Sequence, residues 1–252
     1  MKIAFDKAFF DSDYSVDNAA LPGRMEAALS SIDPGRWSTL VPEPATITQL
    51  LRVHDGEYIE SIAAKPRLFA VARIAAGAAI TAAEAAYAGE PCFACIRPPG
   101  HHAYRDRAWG YCVFNNIVLA LMELRENHAI ESAFVIDIDQ HTGDGTRSLL
   151  GDWSGATVFN PFAEDAATYL KLIEARLSEI REVSIIAVSA GFDAYKLDVG
   201  HKLSRSDFRS IGALVRRASV RASKGRRFAV LEGGYYLPDL GSNVHAFCEG
   251  FE

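Results

Sequence analysis

The sequence predicts an α/β protein of three layers, α/β/α, around a mostly parallel central sheet. Strand-like and helix-like segments alternate along the chain, the pattern of strand–helix–strand units that build parallel sheets. Residues 134–136 and 183–188 are almost wholly apolar, as strands buried on both faces are. The unusual polar residues then fall just beyond the predicted strands, at the sheet edge where such folds bind ligands.

Residues 2–5 read as a first short strand. Residues 21–32 read as a helix, with Pro22 near its start and Met25, Ala28, Leu29 and Ile32 at helical spacing, stopped by Pro34-Gly35. Thr46 can cap a helix through Val53 that ends at His54-Asp55-Gly56, and residues 57–64 form another short helix. His54 could be a ligand, but a lone histidine at a helix end is more often a polar anchor. A long Ala-rich helix covers 67–87, with small side chains suited to close packing on a sheet, and Gly89-Glu90-Pro91 ends it. Residues 92–96 form an apolar strand that runs into Arg97-Pro98-Pro99-Gly100-His101-His102. The prolines and Gly100 fix an extended turn that presents both histidines at a strand end. Asn115 or Asn116 opens a helix to about Glu126, with Ile117, Ala120, Leu121 and Leu124 inward. After the central strand come a short helix at 146–150, a strand at 156–159 and a helix at 164–182 striped by Leu170, Ile173, Leu177 and Ile180. A strand at 183–188 leads to Asp193, a helix starts near Ser206 and runs to about Ala222, and a strand at 228–231 leads to Glu232-Gly233-Gly234-Tyr235. Pro238 opens a last helix toward Phe247. Repeats, low-complexity tracts and linkers are absent, so residues 1–252 read as one domain.

Composition narrows the function. The chain is 49% hydrophobic with a mean hydropathy of +0.03, enough for a sizeable core. A net charge of −6 argues against nucleic acid or a membrane surface as partner. The N-terminus has early acidic residues and lacks the apolar run of a secretory signal. The apolar stretch 71–88 contains Arg73 and Glu84, and reads as a buried helix instead of a membrane span. Cys92 and Cys95 form an isolated C-x-x-C, facing opposite sides of a strand; buried free thiols fit a cytoplasmic protein.

The densest chemistry lies at 137–146, where Asp137, Asp139, His141 and Asp144 follow a buried strand. Carboxylates there are costly unless they bind something. Asp139 and His141 are two apart, so an extended backbone would point them to one side, as two ligands of one divalent metal. The bland alternative is a polar turn in which Asp144 or Thr146 caps a helix. Asp193 from the next strand end completes a three-ligand shell with room for water and substrate.

Five motifs, RPPGHHA at 97–103, GYCVFNN at 110–116, DIDQHTGDGT at 137–146, SAGFDA at 189–194 and EGGYY at 232–236, stand in the order seen in the histone deacetylase and acetylpolyamine amidohydrolase family. The chain resembles that family over nearly its whole length, most closely its bacterial members. The resemblance implies the arginase/deacetylase fold and zinc-dependent hydrolysis of an N-acyl amide, with Fe²⁺ or another divalent ion as alternatives. It implies Asp139, His141 and Asp193 as metal ligands, and His101 and His102 as the tandem histidines, partnered by Asp137 and Asp144. It implies Tyr235 as the oxyanion donor, Gly110 and Tyr111 as one substrate wall, and Gly233 and Gly234 as the adaptable loop beside it. The expected substrate is a small-molecule or peptide acyl amide: acetyl-lysine, an acetylated polyamine or another small amine.

Three departures from the family stand out. Thr142 replaces a second histidine. The link from Gly151 to Tyr169 is short and lacks one aromatic wall of the acyl tunnel. The chain passes from Ile62 to Arg67 without a rim loop. A wide, shallow pocket is therefore expected, unless the 104–109 loop swings Trp109 over the gap. The family's monovalent-cation site uses main-chain oxygens near Asp137, Asp139 and His141. Its other ligands fall in the shortened region, which leaves that site in question. Two rival readings are a deacetylase-like metal-binding scaffold with little turnover and a binuclear manganese ureohydrolase. The histidine pair and Tyr235 favour the deacetylase branch over the second.

Overall fold

A computed structural model describes residues 1–128 and 130–252. The strands are β1 (Lys2–Ala4), β2 (Ser38–Leu40), β3 (Cys92–Ala94), β4 (Ala133–Asp137), β5 (Ala156–Phe159), β6 (Ile185–Ala190) and β7 (Arg227–Leu231). Among the described residues these seven form one sheet in the order β2-β1-β3-β7-β6-β4-β5, and every pairing is parallel. Parallel register gathers the carboxyl ends on one edge: Asp137 lies opposite Ser189, and Ala190 opposite Leu231.

The helices are α1 (Arg24–Leu29), α2 (Ile47–Leu51), α3 (Gly56–Ala63), α4 (Pro66–Tyr87), α5 (Asn116–His128), α6 (Asp144–Leu150), α7 (Ala166–Ser178), α8 (Arg205–Ala222) and α9 (Leu237–Phe251). Helix α4 packs on α5, β1, β3 and β7, whereas α8 packs on α7, α9, β6 and β7. Two helical layers therefore enclose the sheet. Strands β4, β6 and β7 are buried along their full length, which is why their sequences do not alternate. Cutting one such buried isoleucine, Ile186 for example, to alanine typically costs about 2–5 kcal/mol. Helix α4 is long and apolar enough to cross a bilayer by length and composition. Its fully buried Ala72, Ala75, Ala76, Ala79 and Ala83 instead let it lie close to the sheet and α5.

Several expected elements shift. Helix α1 starts only at Arg24, because Gly23 before it takes a left-handed conformation (φ 82°), and it ends at Leu29. The polar edge strand β2 gave no apolar signal, and two 3-10 turns at Lys7–Phe10 and Asn18–Ala20, capped by Asp6 and Asp17, were not expected. Helix α7 is shorter than 164–182, starting after its cap Asp165, and α9 runs on to Phe251. Strand β3 stops at Ala94, so Cys95 lies beyond it; all four cysteines are buried and free. Thr46 and Gln49 form the expected cap of α2 as a reciprocal capping box.

Candidate active site

Four strand ends deliver the site. Beyond β3, the turn at 97–100 carries His101 and His102, each only 3% exposed. It is held from β7: Glu232 Oε2 accepts from the Gly100 amide (2.7 Å) and the His101 amide (3.2 Å). His101 Nδ1 lies 2.9 Å from Asp137 Oδ2, and His102 Nδ1 lies 2.8 Å from Asp144 Oδ1. A carboxylate can only accept, so both Nδ1 atoms carry the proton and both Nε2 atoms are left for the site. Burial opposes charge on His101, but Asp137 and Asp139 outweigh it and hold this imidazole well above its ordinary range. Burial, then the charge on His101, push His102 down to about 4.

Strand β4 ends at Asp137, so Asp139 and His141 do not share an extended strand face as expected. They converge because the chain turns back: the His141 amide donates to Asp139 Oδ1 (2.9 Å), and the Asp139 amide to Asp137 Oδ1 (3.1 Å). Asp193, beyond β6, accepts from the Gln140 amide at 2.9 Å. Ligand-capable atoms of Asp139, His141 and Asp193 all lie within 4.8 Å of one another. The Cβ of any larger residue at Gly233 would stand 2.7 Å from Asp139 Oδ2, the same oxygen that accepts from the Gly233 amide at 2.9 Å.

This trio fits a cation. Asp193 Oδ2 is buried and accepts from no donor, although His141 Nδ1 lies 2.9 Å away. Burial and the neighbouring Asp139 push Asp193 up to about 7, and the Asp139 and Asp193 carboxylates facing its Nδ1 raise His141 to about 10. Two oxygens and one imidazole nitrogen are an ordinary donor set for zinc or a similar divalent ion. A second group, His101, Cys112 and Glu232, also has atoms within 4.8 Å. Those atoms are already engaged: Asp137 takes His101 Nδ1, Cys112 Sγ accepts from the His102 amide, and Glu232 accepts from two amides and the Ser189 hydroxyl.

Tyr235 follows β7, and burial pushes its phenol far above its ordinary range. Its ring meets Tyr111 edge-on with centroids 5.9 Å apart. Asp198 Oδ2 accepts from the Tyr235 amide (2.6 Å) and the Tyr236 amide (2.7 Å), and Arg24 donates to the carbonyls of Glu232 and Gly234. Neither Asp198 nor Arg24 was expected at the site. Arg24 left one trace in the sequence, a charge beside the apolar stripe of α1; Asp198, between Leu197 and Val199, left none.

A cavity of about 320 Å³ joins these parts, lined by His101, His102, Asp139, His141, Tyr235 and Gly233, with Asn18, Pro99, Trp109, Gly110, Tyr111 and Val199 around them. Gly234 is a correction: it does not line the cavity, because a Cβ there would meet Leu240 and Phe192 in the interior. The bland alternative of Asp144 as a helix cap does not hold, since Asp144 forms the first residue of α6, after Gly143. Trp109 stacks on His102 and lines the cavity beside Gly110 and Tyr111. Nothing from 151–169 lines the cavity, and Phe162 there is 80% exposed. His54 is a buried anchor, with Nδ1 against the Tyr104 carbonyl and Nε2 accepting from the Asn115 amide.

The profile of the histone deacetylase domain matches residues 19–169. A protein of Methanothermobacter thermautotrophicus described as a probable deacetylase is 30% identical, covering 91% of this chain and 84% of its own length. A histone deacetylase-like amidohydrolase of Pseudomonas aeruginosa is also 30% identical, over 80% of this chain and 68% of its own. A human polyamine deacetylase is 29% identical over 87% of this chain, which spans 39% of that larger protein. The crystal structure of the HDA15 HD domain superposes with a TM-score of 0.86 at 20% identity, covering 98% of this chain and 88% of that one, a match of fold. Its three-layer architecture is therefore the arginase/deacetylase fold. With more than half of its length in the family profile and relatives matched nearly end to end, the chain belongs to the histone deacetylase family.

Proposed function

We propose that this protein is a zinc-dependent deacylase that hydrolyses the C–N bond of an N-acetyl or other small N-acyl amide, in a reducing compartment such as the cytoplasm. The observation that carries this reading is the meeting, in one cavity, of the Asp139–His141–Asp193 trio with two carboxylate-held imidazoles and Tyr235. Zinc held by the trio would polarise the amide carbonyl and make water acidic enough to attack near neutral pH. His102 is neutral, with Nδ1–H fixed on Asp144, so its Nε2 accepts the proton of the attacking water. The same nitrogen returns that proton to the leaving nitrogen as the C–N bond breaks, giving a carboxylic acid and a free amine. His101, held through Nδ1–H on Asp137 and lying against His102, contributes mainly electrostatically. The Tyr235 hydroxyl donates to the oxyanion as the carbonyl becomes tetrahedral.

Among the described residues Asp139 is the one carboxylate that lines the cavity, so the cavity wall itself offers no second carboxylate to the charged nitrogens of a polyamine. That favours acetyl-lysine peptides and small neutral amines over polyamines. The unwalled side supports one rival, a metal-binding scaffold of low turnover. Metal analysis and a turnover screen on acetylated peptides, polyamines and small amides decide between them. The zinc-loaded protein should hold one ion and turn over at least one amide, and Asp193→Ala should lose most of the metal. His102→Ala and Tyr235→Phe should keep the metal and lose roughly two to four orders of magnitude in rate. Metal retained in full by Asp193→Ala would sink the ligand set, and bound metal without turnover would favour the scaffold.

A further inference from the structure

Trp109 takes no part in the chemistry above, yet it touches both members of the pair that moves the proton. Its indole lies on the His102 ring with centroids 3.7 Å apart and planes at 27°. Its Nε1–H donates to Asp144 Oδ2 at 3.1 Å, while Asp144 Oδ1 holds His102 Nδ1 at 2.8 Å. One residue thus grips the imidazole by its face and the carboxylate by its free oxygen. The His101 ring also lies against His102, with centroids 4.0 Å apart and planes tilted at 41°.

The segment carrying Trp109 is anchored at both ends. The Tyr104 amide donates to the Arg107 carbonyl (2.7 Å), the Asp55 amide to the Arg105 carbonyl (2.9 Å), and His54 Nδ1–H to the Tyr104 carbonyl (2.8 Å). At its far end the Cys112 amide closes a turn on the Trp109 carbonyl at 3.0 Å, through left-handed Gly110 (φ 60°) and Tyr111 (φ 68°). A tryptophan left 52% exposed on a rim is ordinarily free to move; this one is fixed by its neighbours on either side.

We propose that Trp109 is a positioning residue for His102: it blocks rotation of the imidazole and fixes the plane of Asp144, so that Nδ1 keeps its proton and Nε2 faces the substrate. A carboxylate bonded through one oxygen can swing about its side chain; a second donor on the other oxygen removes that freedom. An imidazole stacked on an indole and packed against a second, tilted imidazole is hindered from flipping between its two ring orientations. The reading of His102 as general base underlies this role. The competing role for Trp109 is a rim contact that binds the leaving-amine side of the substrate, which acts on KM.

The test compares Trp109→Leu and Trp109→Phe in the metal-loaded protein, with circular dichroism to confirm the fold. Trp109→Leu should lower kcat about 10- to 100-fold, the scale of a small misplacement of a reacting group. KM should move by no more than about threefold, since uniform binding is untouched. Trp109→Phe, which keeps a stacked ring but loses the donor to Asp144 Oδ2, should recover part of kcat and fall between Trp109→Leu and the parent. Nitrogen-15 imidazole spectra, assigned against His102→Gln, need no turnover. They should show one Nδ1–H tautomer at His102 in the parent protein and a mixture in Trp109→Leu. A rise in KM with kcat unchanged, or a His102 tautomer unmoved in Trp109→Leu, overturns the proposal. If the parent protein turns over no amide, the deacylase reading fails, while the spectra still decide what Trp109 does to His102.

Discussion

At Gly110 two demands fall on one residue. Its φ of 60° lies in the left-handed region, and a Cβ there would stand 2.5 Å from His102 Cδ2. Alanine would bring a backbone cost of roughly 1–3 kcal/mol together with a collision that must displace the imidazole. Tyr111 beside it is left-handed as well, and its aromatic wall faces Tyr235. Such a conformation persists only where the surroundings enforce it. Gly110→Ala is expected to cut kcat/KM at least about 100-fold while the protein stays folded. Turnover within a fewfold of the parent would show that the 109–111 turn has slack that the packing does not display.

At the scale of elements, the loops beyond the strands hold one another through carboxylate-to-amide bonds. Glu232 takes two amides from the histidine turn, Asp193 takes Gln140, Asp139 takes Gly233, and Asp198 takes Tyr235 and Tyr236. Each buried amide left without an acceptor would cost about 1–3 kcal/mol, so the strand ends are fixed as a set. The helix end at His54 is tied in the same way, but with a titrating group. Burial pushes His54 down to about 4 from 6.5. The unfolded chain therefore takes up a proton on this residue before the folded one does. Its contribution is complete above pH 6.5 and is lost as pH falls toward 4, by roughly 3 kcal/mol in total. Denaturant unfolding at several pH values should show a steeper acid-side loss for the parent than for His54→Gln. Parallel curves for the two proteins would mean that His54 accepts a proton without leaving its place.

The whole molecule decides how open the site is. One wall comes from Gly110 and Tyr111, with the Asn18 side-chain Nδ2 donating to the Tyr111 hydroxyl at 3.4 Å. The facing side has no residue from 151–169, because that link is only long enough to join β5 to α7. Val199 and Trp109 stand at the rim, both more than half exposed. A closed hydrophobic pocket discriminates by about 1–3 kcal/mol per methylene, and an open one buries less area and so discriminates less. Acetyl, propionyl and butyryl forms of one substrate should therefore differ in kcat/KM by less than about tenfold between neighbours. Much larger ratios, with sub-micromolar affinity for a small acetylated amine, would show that another subunit or a loop movement completes the pocket.

The sequence by itself determined the buried strands, the long helices and the family resemblance. The apolar runs at 134–136 and 183–188 have no stable place except a strand buried on both faces, and parallel strands must send their carboxyl ends to one edge. That is enough to bring His101, His102, Asp139, His141, Asp193 and Tyr235 to one edge of the sheet. Edge strand β2 was illegible because it is polar and buries little. The tertiary structure alone decided which groups support those residues. Arg24 lies 208 residues from Glu232, whose carbonyl it holds, and Asp198 lies 37 residues from the Tyr235 amide it accepts. No local pattern reports a bond of that span. The stack of Trp109 on His102 is of the same kind: seven positions apart in the chain, it depends on two successive left-handed residues and on an anchor at His54, and only the folded chain brings them together.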